Sequence, residues 1–70
     1  MNIPMLEAIL LEATKPDVDL YAVTLVVKDM AEKQTHPIVK NYLVQAWRSM
    51  EKGNLDIAIP CISLALAYYD

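Results

Sequence analysis

The chain has one histidine and one cysteine, which are the residues with the most obvious potential for catalysis. Cys61 lies in an apolar run between Ile59 and Leu64, a setting typical of a buried thiol. His36 directly precedes Pro37, where a helix is expected to begin, so a role in capping that helix is favoured. A Cys–His nucleophile pair would need both side chains in one cleft, and nothing in the pattern indicates one.

The other arrangements that support catalysis or metal binding are also missing from the sequence. Asp17 and Asp19 are two residues apart and do not share a helix face, so helix capping explains them better than acid–base chemistry. A single cysteine excludes a cysteine-based zinc site and an intramolecular disulfide. With Gly53 as the only glycine, no glycine-rich phosphate loop is present. We therefore expect no enzyme, no metal and no cofactor.

The sequence has more large apolar side chains than a small domain can bury. Hydrophobic residues make up 56% of the 70 residues, and a domain of this size buries only about 60% of the surface that its unfolded chain exposes. The excess is expected to form an apolar surface patch, which in proteins marks a binding surface. The candidate partner-binding residues are Tyr21, Leu25, Trp47, Leu64, Tyr68 and Tyr69. For Trp47 a place in the core is favoured, and a partner-facing position is the alternative.

The charge distribution and the length of the apolar runs argue against nucleic-acid and membrane partners. The net charge is −3 and the pI about 4.9, with the six basic residues dispersed among acidic ones. Because nucleic-acid binding usually needs a clustered basic face, we expect no nucleic-acid partner. The longest uncharged run, residues 57–69, has thirteen residues, whereas spanning a bilayer takes about 20. With no recognisable secretion signal, we expect no membrane association and a cytoplasmic location.

Proline and glycine divide the chain into four helical segments within a single domain, residues 1–70. The predicted helices cover about residues 3–14, 16–33, 37–52 and 55–69, with apolar residues at helical spacing in each. On the second helix, Thr24, Lys28 and Glu32 are expected to form the solvated side. Asn2, Pro16 and Asn54 mark three of the helix starts, while Thr35 or His36 caps the third helix. The sequence therefore predicts an all-α fold, a small four-helix domain of two antiparallel helical hairpins.

Pro60 is the one irregular position in the predicted fourth helix. A proline about six residues into a helix removes one backbone hydrogen bond and is expected to kink it. The alternative is a short turn before Pro60, with the helix proper starting there. A kinked helix is the favoured interpretation.

Residues 39–70 carry small and large apolar residues in an order that is similar to a known helical repeat. Small residues stand where two helices would cross, a turn follows, and large apolar residues flank the crossing. The matching positions are Tyr42, Ala46, Gly53-Asn54-Leu55, Ala58-Ile59, Ile62 and Ala65-Leu66. This segment resembles a single tetratricopeptide repeat, a helix–turn–helix of about 34 residues. The resemblance implies a closely packed hairpin with two further helices on it.

These features favour a non-catalytic protein–protein interaction module that binds through an apolar helical surface, as an adaptor, a small chaperone or an accessory subunit. Self-association as a homodimer would cover the apolar excess and offset the low stability of a small domain. The alternative is an inhibitor or immunity-type protein, of the kind that phages encode, that blocks a larger enzyme. A helix-turn-helix nucleic-acid-binding regulator ranks lower, because no segment is strongly basic.

The charge pattern makes a direct prediction about polyanions. We expect the protein to pass through a heparin column at low salt without retention, since its basic residues do not cluster. A basic helix-turn-helix protein of similar size serves as the control. Retention that falls steeply as salt is raised would contradict the prediction and restore the nucleic-acid hypothesis.

Overall fold

Four α-helices account for most of the chain. The computed structural model describes residues 3–69, with the exception of the side chains of Ile3 and Tyr69. The helices are α1 (Ile3–Ala13), α2 (Leu20–Lys33), α3 (Pro37–Glu51) and α4 (Leu55–Tyr69), and the described range contains no strand. The predicted all-α class is therefore confirmed. The predicted cap Asn2 lies outside the described residues.

The helices form a ring in which each one contacts its two neighbours. α3 packs most extensively against α4 and then against α2, while α1 packs on α4 and more sparingly on α2. Across residues 3–69, α2 and α4 do not meet. Tyr42 near the start of α3 stacks on Tyr68 near the end of α4, and Gln45 meets Cys61. These two pairs show that α3 and α4 run antiparallel, as the predicted hairpin requires.

The core is built from one buried stripe on each helix. Its largest fully buried side chains are Leu6, Val27, Val39, Leu43, Met50 and Ile62. Small residues complete it, because Ala46 on α3 and Ala58 and Ala65 on α4 are also fully buried, and these two helices pack together most extensively. Side chains of this size let two helix axes approach closely, and the large residues then fill the flanks.

The turn between α3 and α4 is a Schellman motif. Gly53 adopts φ +73°, its N–H donates to the carbonyl of Met50 at 2.9 Å, and the N–H of Asn54 donates to the carbonyl of Ser49 at 2.8 Å. This is the hydrogen-bond pattern that closes many helices at a glycine. α4 begins directly after it, because the Asn54 carbonyl accepts from the N–H of Ala58 at 3.2 Å.

The predicted start of α2 at residue 16 is wrong by four residues. The Asp19 carboxylate accepts from the N–H of Ala22 at 3.1 Å and caps the helix, which begins at Leu20. Proline disfavours a helical conformation in the residue before it, so Pro16 helps to end α1 and does not open α2. Residues 14–19 form the connection.

The buried edge of α2 also differs from the prediction at Thr24. The helical pattern places Thr24 on the solvated side with Lys28 and Glu32, yet its side chain is buried. The Thr24 hydroxyl donates to the carbonyl of Leu20 at 2.6 Å. That intrahelical bond satisfies the hydroxyl, so the residue can face α3 without an unpaired donor.

The connection from α2 to α3 is organised by a buried glutamine. The Gln34 Oε1 accepts from the N–H groups of Thr35 and His36, both at 3.0 Å. The His36 Nδ1 then accepts from the N–H of Val39 at 3.4 Å, which makes His36 the N-cap of α3 and confirms one of the two predicted caps. Two side chains thus satisfy the backbone of a three-residue turn.

α4 runs without interruption through Pro60. The continuous helix is against a separate start at Pro60 and agrees with the favoured interpretation in this respect, while the kink stays a prediction. The proline lies on the exposed side of the helix, where water can hydrate the carbonyl group that it leaves unpaired. None of the helices in residues 3–69 has the length and apolar character needed to cross a membrane.

The Schellman turn supplies a test of the hairpin. We expect Gly53→Ala to lower the free energy of unfolding by about 1 kcal/mol, because the left-handed conformation is costly for a residue with a Cβ. An added Cβ would meet no atom within 4 Å, so the loss is a backbone effect alone. Gly53→Asn is the matched control and should lose less, since asparagine tolerates this conformation. Equal stability of wild type and Gly53→Ala in urea titrations would contradict the expectation.

Candidate protein-binding surfaces

The structure divides the predicted partner-binding residues between two sides of α3. Tyr21 and Leu25 lie on α2, with 75% and 49% of their surface exposed. Leu64 and Tyr68 lie on α4, with 42% and 49% exposed. Because α2 and α4 do not meet within residues 3–69, these pairs belong to two separate surfaces. The side chain of Tyr69 lies outside the described residues.

The first surface is an open cleft between α2 and α3, here called the α2–α3 cleft. It has a volume of about 390 Å³. Its lining residues are Leu20, Tyr21, Thr24, Leu25, Lys28, Met50 and Glu51. Met50 is buried and forms the floor, whereas Tyr21 and Leu25 are exposed walls. The two charged residues, Lys28 and Glu51, give the otherwise apolar cleft one group of each sign.

Trp47 lies beside this cleft and is neither fully buried nor free. Its half-buried ring packs against the core. Lys28 Nζ lies 5.0 Å from the ring centroid and Arg48 Cζ lies 5.6 Å from it. Both distances suit cation–π contacts, which contribute about 0.5–1 kcal/mol each at exposed sites. Trp47 therefore supports the position of Lys28 in the cleft wall.

The second surface is the outer side of the α3–α4 hairpin, here called the hairpin face. Its side chains follow helical spacing on both helices and comprise Ile38, Tyr42, Gln45, Ile57, Leu64 and Tyr68. The rings of Tyr42 and Tyr68 stack with centroids 5.6 Å apart and planes inclined by 20°. That contact joins the two helices at one end of the face, and about half of the surface of Tyr68 stays exposed to solvent.

Within residues 3–69, the hairpin face has no charged side chain. Asp56, in the first turn of α4, is the one ionisable acid or base among residues 55–68 apart from the thiol of Cys61 and the phenol of Tyr68. The exposed ion pairs lie elsewhere, between Lys15 and Glu12 at 3.1 Å and between Lys33 and Asp29 at 3.0 Å. Charge is thus carried by the rest of the molecule.

A third opening separates α1 from α2. It has a volume of about 320 Å³, and its wall includes Val26, which is 38% exposed. This groove reflects the sparse packing between the first two helices. It holds one charged residue, Glu12, which is paired with Lys15.

The two residues with potential for catalysis, His36 and Cys61, lie in different parts of the fold, and each has a structural role. His36 caps α3 through Nδ1. Cys61 is buried, as the sequence predicts, and its Sγ lies 3.9 Å from the Oε1 of Gln45. Burial raises the pKa of the Cys61 thiol above its ordinary value. In residues 3–69, no group of three or more His, Cys, Asp or Glu side chains is arranged to hold a metal ion.

Sequence reasoning missed several contributors to these surfaces, of which Ile57 and Lys28 are the most informative. Ile57 is 51% exposed on the hairpin face, and the spacing Ile57, Cys61, Leu64, Tyr68 could have indicated it as a member of one α4 stripe. Lys28 was assigned only to the solvated side of α2, although it lines the cleft. Its place there depends on the position of α3, which no local pattern in α2 specifies.

No family model, curated protein or solved structure was found to match the chain. The resemblance of residues 39–70 to a tetratricopeptide repeat stays a prediction.

The buried thiol makes a prediction about reactivity. We expect Cys61 in the folded protein to react with a disulfide reagent at least tenfold more slowly than in the urea-unfolded chain at pH 8, because the thiolate is the nucleophile and burial disfavours it. The raised pKa also means that the unfolded state loses this proton first as pH rises. Stability should therefore fall above the ordinary thiol pKa, and less so in Cys61→Ala. Equal reaction rates in the folded and unfolded chains would contradict the assignment.

Proposed function

We propose that this protein is a non-catalytic protein–protein interaction module, an adaptor, small chaperone or accessory subunit, that holds an apolar segment of a partner protein in the α2–α3 cleft. The observation that carries the proposal is the cleft itself, with an exposed tyrosine and leucine as walls and one charge of each sign. Its volume of about 390 Å³ equals that of a small ligand pocket, for which roughly 300–1,000 Å³ is usual.

The composition of the cleft suits a protein partner. Specific interfaces combine an apolar centre with a polar rim, and their energetic centres are enriched in tyrosine and other aromatic residues. Tyr21 and Leu25 supply the apolar centre, while Lys28 and Glu51 supply polar groups. Two roughly antiparallel helices also form a groove that accepts the apolar side of a third helix. An amphipathic partner helix with an acid and a base beside its apolar residues would complement both charges.

The absence of catalysis is part of the same proposal. The α2–α3 cleft contains no histidine or cysteine. His36 caps α3 from the connection between α2 and α3, whereas Cys61 is buried in the core as part of α4. Binding without chemical conversion is the activity that these residues support best.

Site-specific photo-cross-linking tests the proposal. A photoreactive amino acid replaces Leu25 in one chain and Leu11 in a control chain, since Leu11 is 69% exposed on α1 and outside the cleft. The protein captured specifically through position 25 is identified, purified and titrated against wild type, Leu25→Glu and Leu11→Glu by calorimetry. We expect Leu25→Glu to weaken binding about 30-fold or more, the effect of losing a hot spot of 2 kcal/mol. Leu11→Glu should bind like wild type.

The opposite outcomes are equally informative. Equal binding by both variants, or capture through position 11 alone, would overturn the cleft as the partner site. Both substitutions are at exposed positions, so circular dichroism should show folded proteins and leave binding as the only difference.

A further inference from the structure

The hairpin face lies apart from the α2–α3 cleft and needs its own explanation. We propose that it is covered by a second copy of this chain, in an antiparallel α4–α4 contact around a two-fold axis. Since α3 separates the two surfaces, this inference goes beyond the proposed function and can fail or succeed independently of it.

The exposed apolar residues of α4 can meet a second copy across a two-fold axis. Ile57 and Tyr68 lie eleven residues apart with Leu64 between them, whereas Cys61 of the same stripe is buried and faces Gln45 of α3. An antiparallel copy of the helix with Ile57 opposite Tyr68 of the second copy therefore brings the two Leu64 side chains together close to the axis. Helix stripes that alternate intervals of three and four pack on each other at a crossing angle of about 20°. A two-fold contact demands such self-complementarity.

Charge is compatible with a contact at this face. Each chain has a net charge of −3, so the repulsion between two copies is smallest when they meet at a surface without charged side chains. The side chains of the hairpin face, from Ile38 to Tyr68, meet that condition.

The area of the face is sufficient for a small dimer. Ile38, Ile57, Leu64 and Tyr68 are between 42% and 51% exposed, which for large side chains leaves roughly 400 Å² of apolar surface per chain. Homodimer interfaces are about 65% apolar. The face therefore corresponds to an interface of about 1,200 Å² in total, the lower end of the range for specific interfaces.

Light scattering over a dilution series tests the dimer, and a matched pair of variants tests the face. We expect a mass of twice the 7.9 kDa of one chain at high concentration. Leu64→Glu should raise the dissociation constant of the dimer at least about 100-fold, because it buries two unpaired charges. Leu11→Glu carries the same substitution on α1 and should dimerise like wild type.

Disulfide trapping tests the register. In a Cys61→Ala background, one chain carries Ile57→Cys and a second carries Tyr68→Cys. Each position lies about 16 Å along the helix from its own counterpart in the proposed dimer, eleven residues at 1.5 Å each, too far for a disulfide. Oxidation should therefore cross-link the mixture of the two chains and neither chain alone.

Three results would overturn the inference. A mass of one chain at every concentration excludes the dimer. A dimer that Leu25→Glu disrupts and Leu64→Glu leaves intact would place the contact in the α2–α3 cleft. A dimer whose mixed chains fail to cross-link, or whose single chains do so equally well, has a different register. The first and third results leave partner capture through position 25 untouched, whereas the second would make a second copy of the chain the occupant of the α2–α3 cleft.

Discussion

The close packing of α3 against α4 is the constraint on which the rest of the molecule depends. Ala46, Ala58 and Ala65 are fully buried between large apolar residues, and this helix pair has the most extensive contact in the structure. Because alanine contributes little volume, the helices meet with their backbones close, and larger side chains are displaced to the flanks. The hairpin therefore has large apolar residues on its flanks because small residues are buried between its two helices.

A ring of four short helices gives each helix one buried stripe and leaves the remaining apolar residues outside. α2 and α4 have wide apolar surfaces but do not meet across the ring within residues 3–69. Their excess therefore lies on opposite sides of α3, as the α2–α3 cleft and the hairpin face. A chain of this size has too little interior to bury both. We propose that binding completes what folding leaves exposed, with a partner segment on one side and a second copy on the other.

Local signals predicted the helices well where one signal acted alone. Gly53 is the one glycine in the sequence and marks the end of α3 without ambiguity. The bounds of α3 and α4 accordingly lie within a residue of those predicted. The start of α2 was wrong because Pro16 and Asp19 are both common near helix starts, and only the observed hydrogen bond to Ala22 separates them. Thr24 shows the same difficulty for burial, since a hydroxyl that is satisfied within its own helix can face a neighbour.

The sequence could predict which residues of the candidate surfaces are exposed, but not which of them lie together. The apolar residues that a small core cannot bury were expected at the surface, and four of them are exposed: Tyr21, Leu25, Leu64 and Tyr68. Their separation into two surfaces depends on which helices adjoin, and the contribution of Lys28 to the cleft depends on α3. Such juxtapositions arise from packing between helices that are distant in sequence, and helical periodicity within one segment carries no information about them.

The three-residue turn between α3 and α4 also has a consequence for the order of folding. Contacts across a short turn cost little chain entropy, so this hairpin can form before contacts that close longer loops. The principal neighbour of α1 is α4, at the other end of the described chain, which makes the docking of α1 the costliest closure in loop entropy. During synthesis α1 emerges before the other three helices, whereas α4, against which it packs most, emerges after them. We therefore expect the apolar residues of α1 to stay available to chaperones until α4 has left the ribosome.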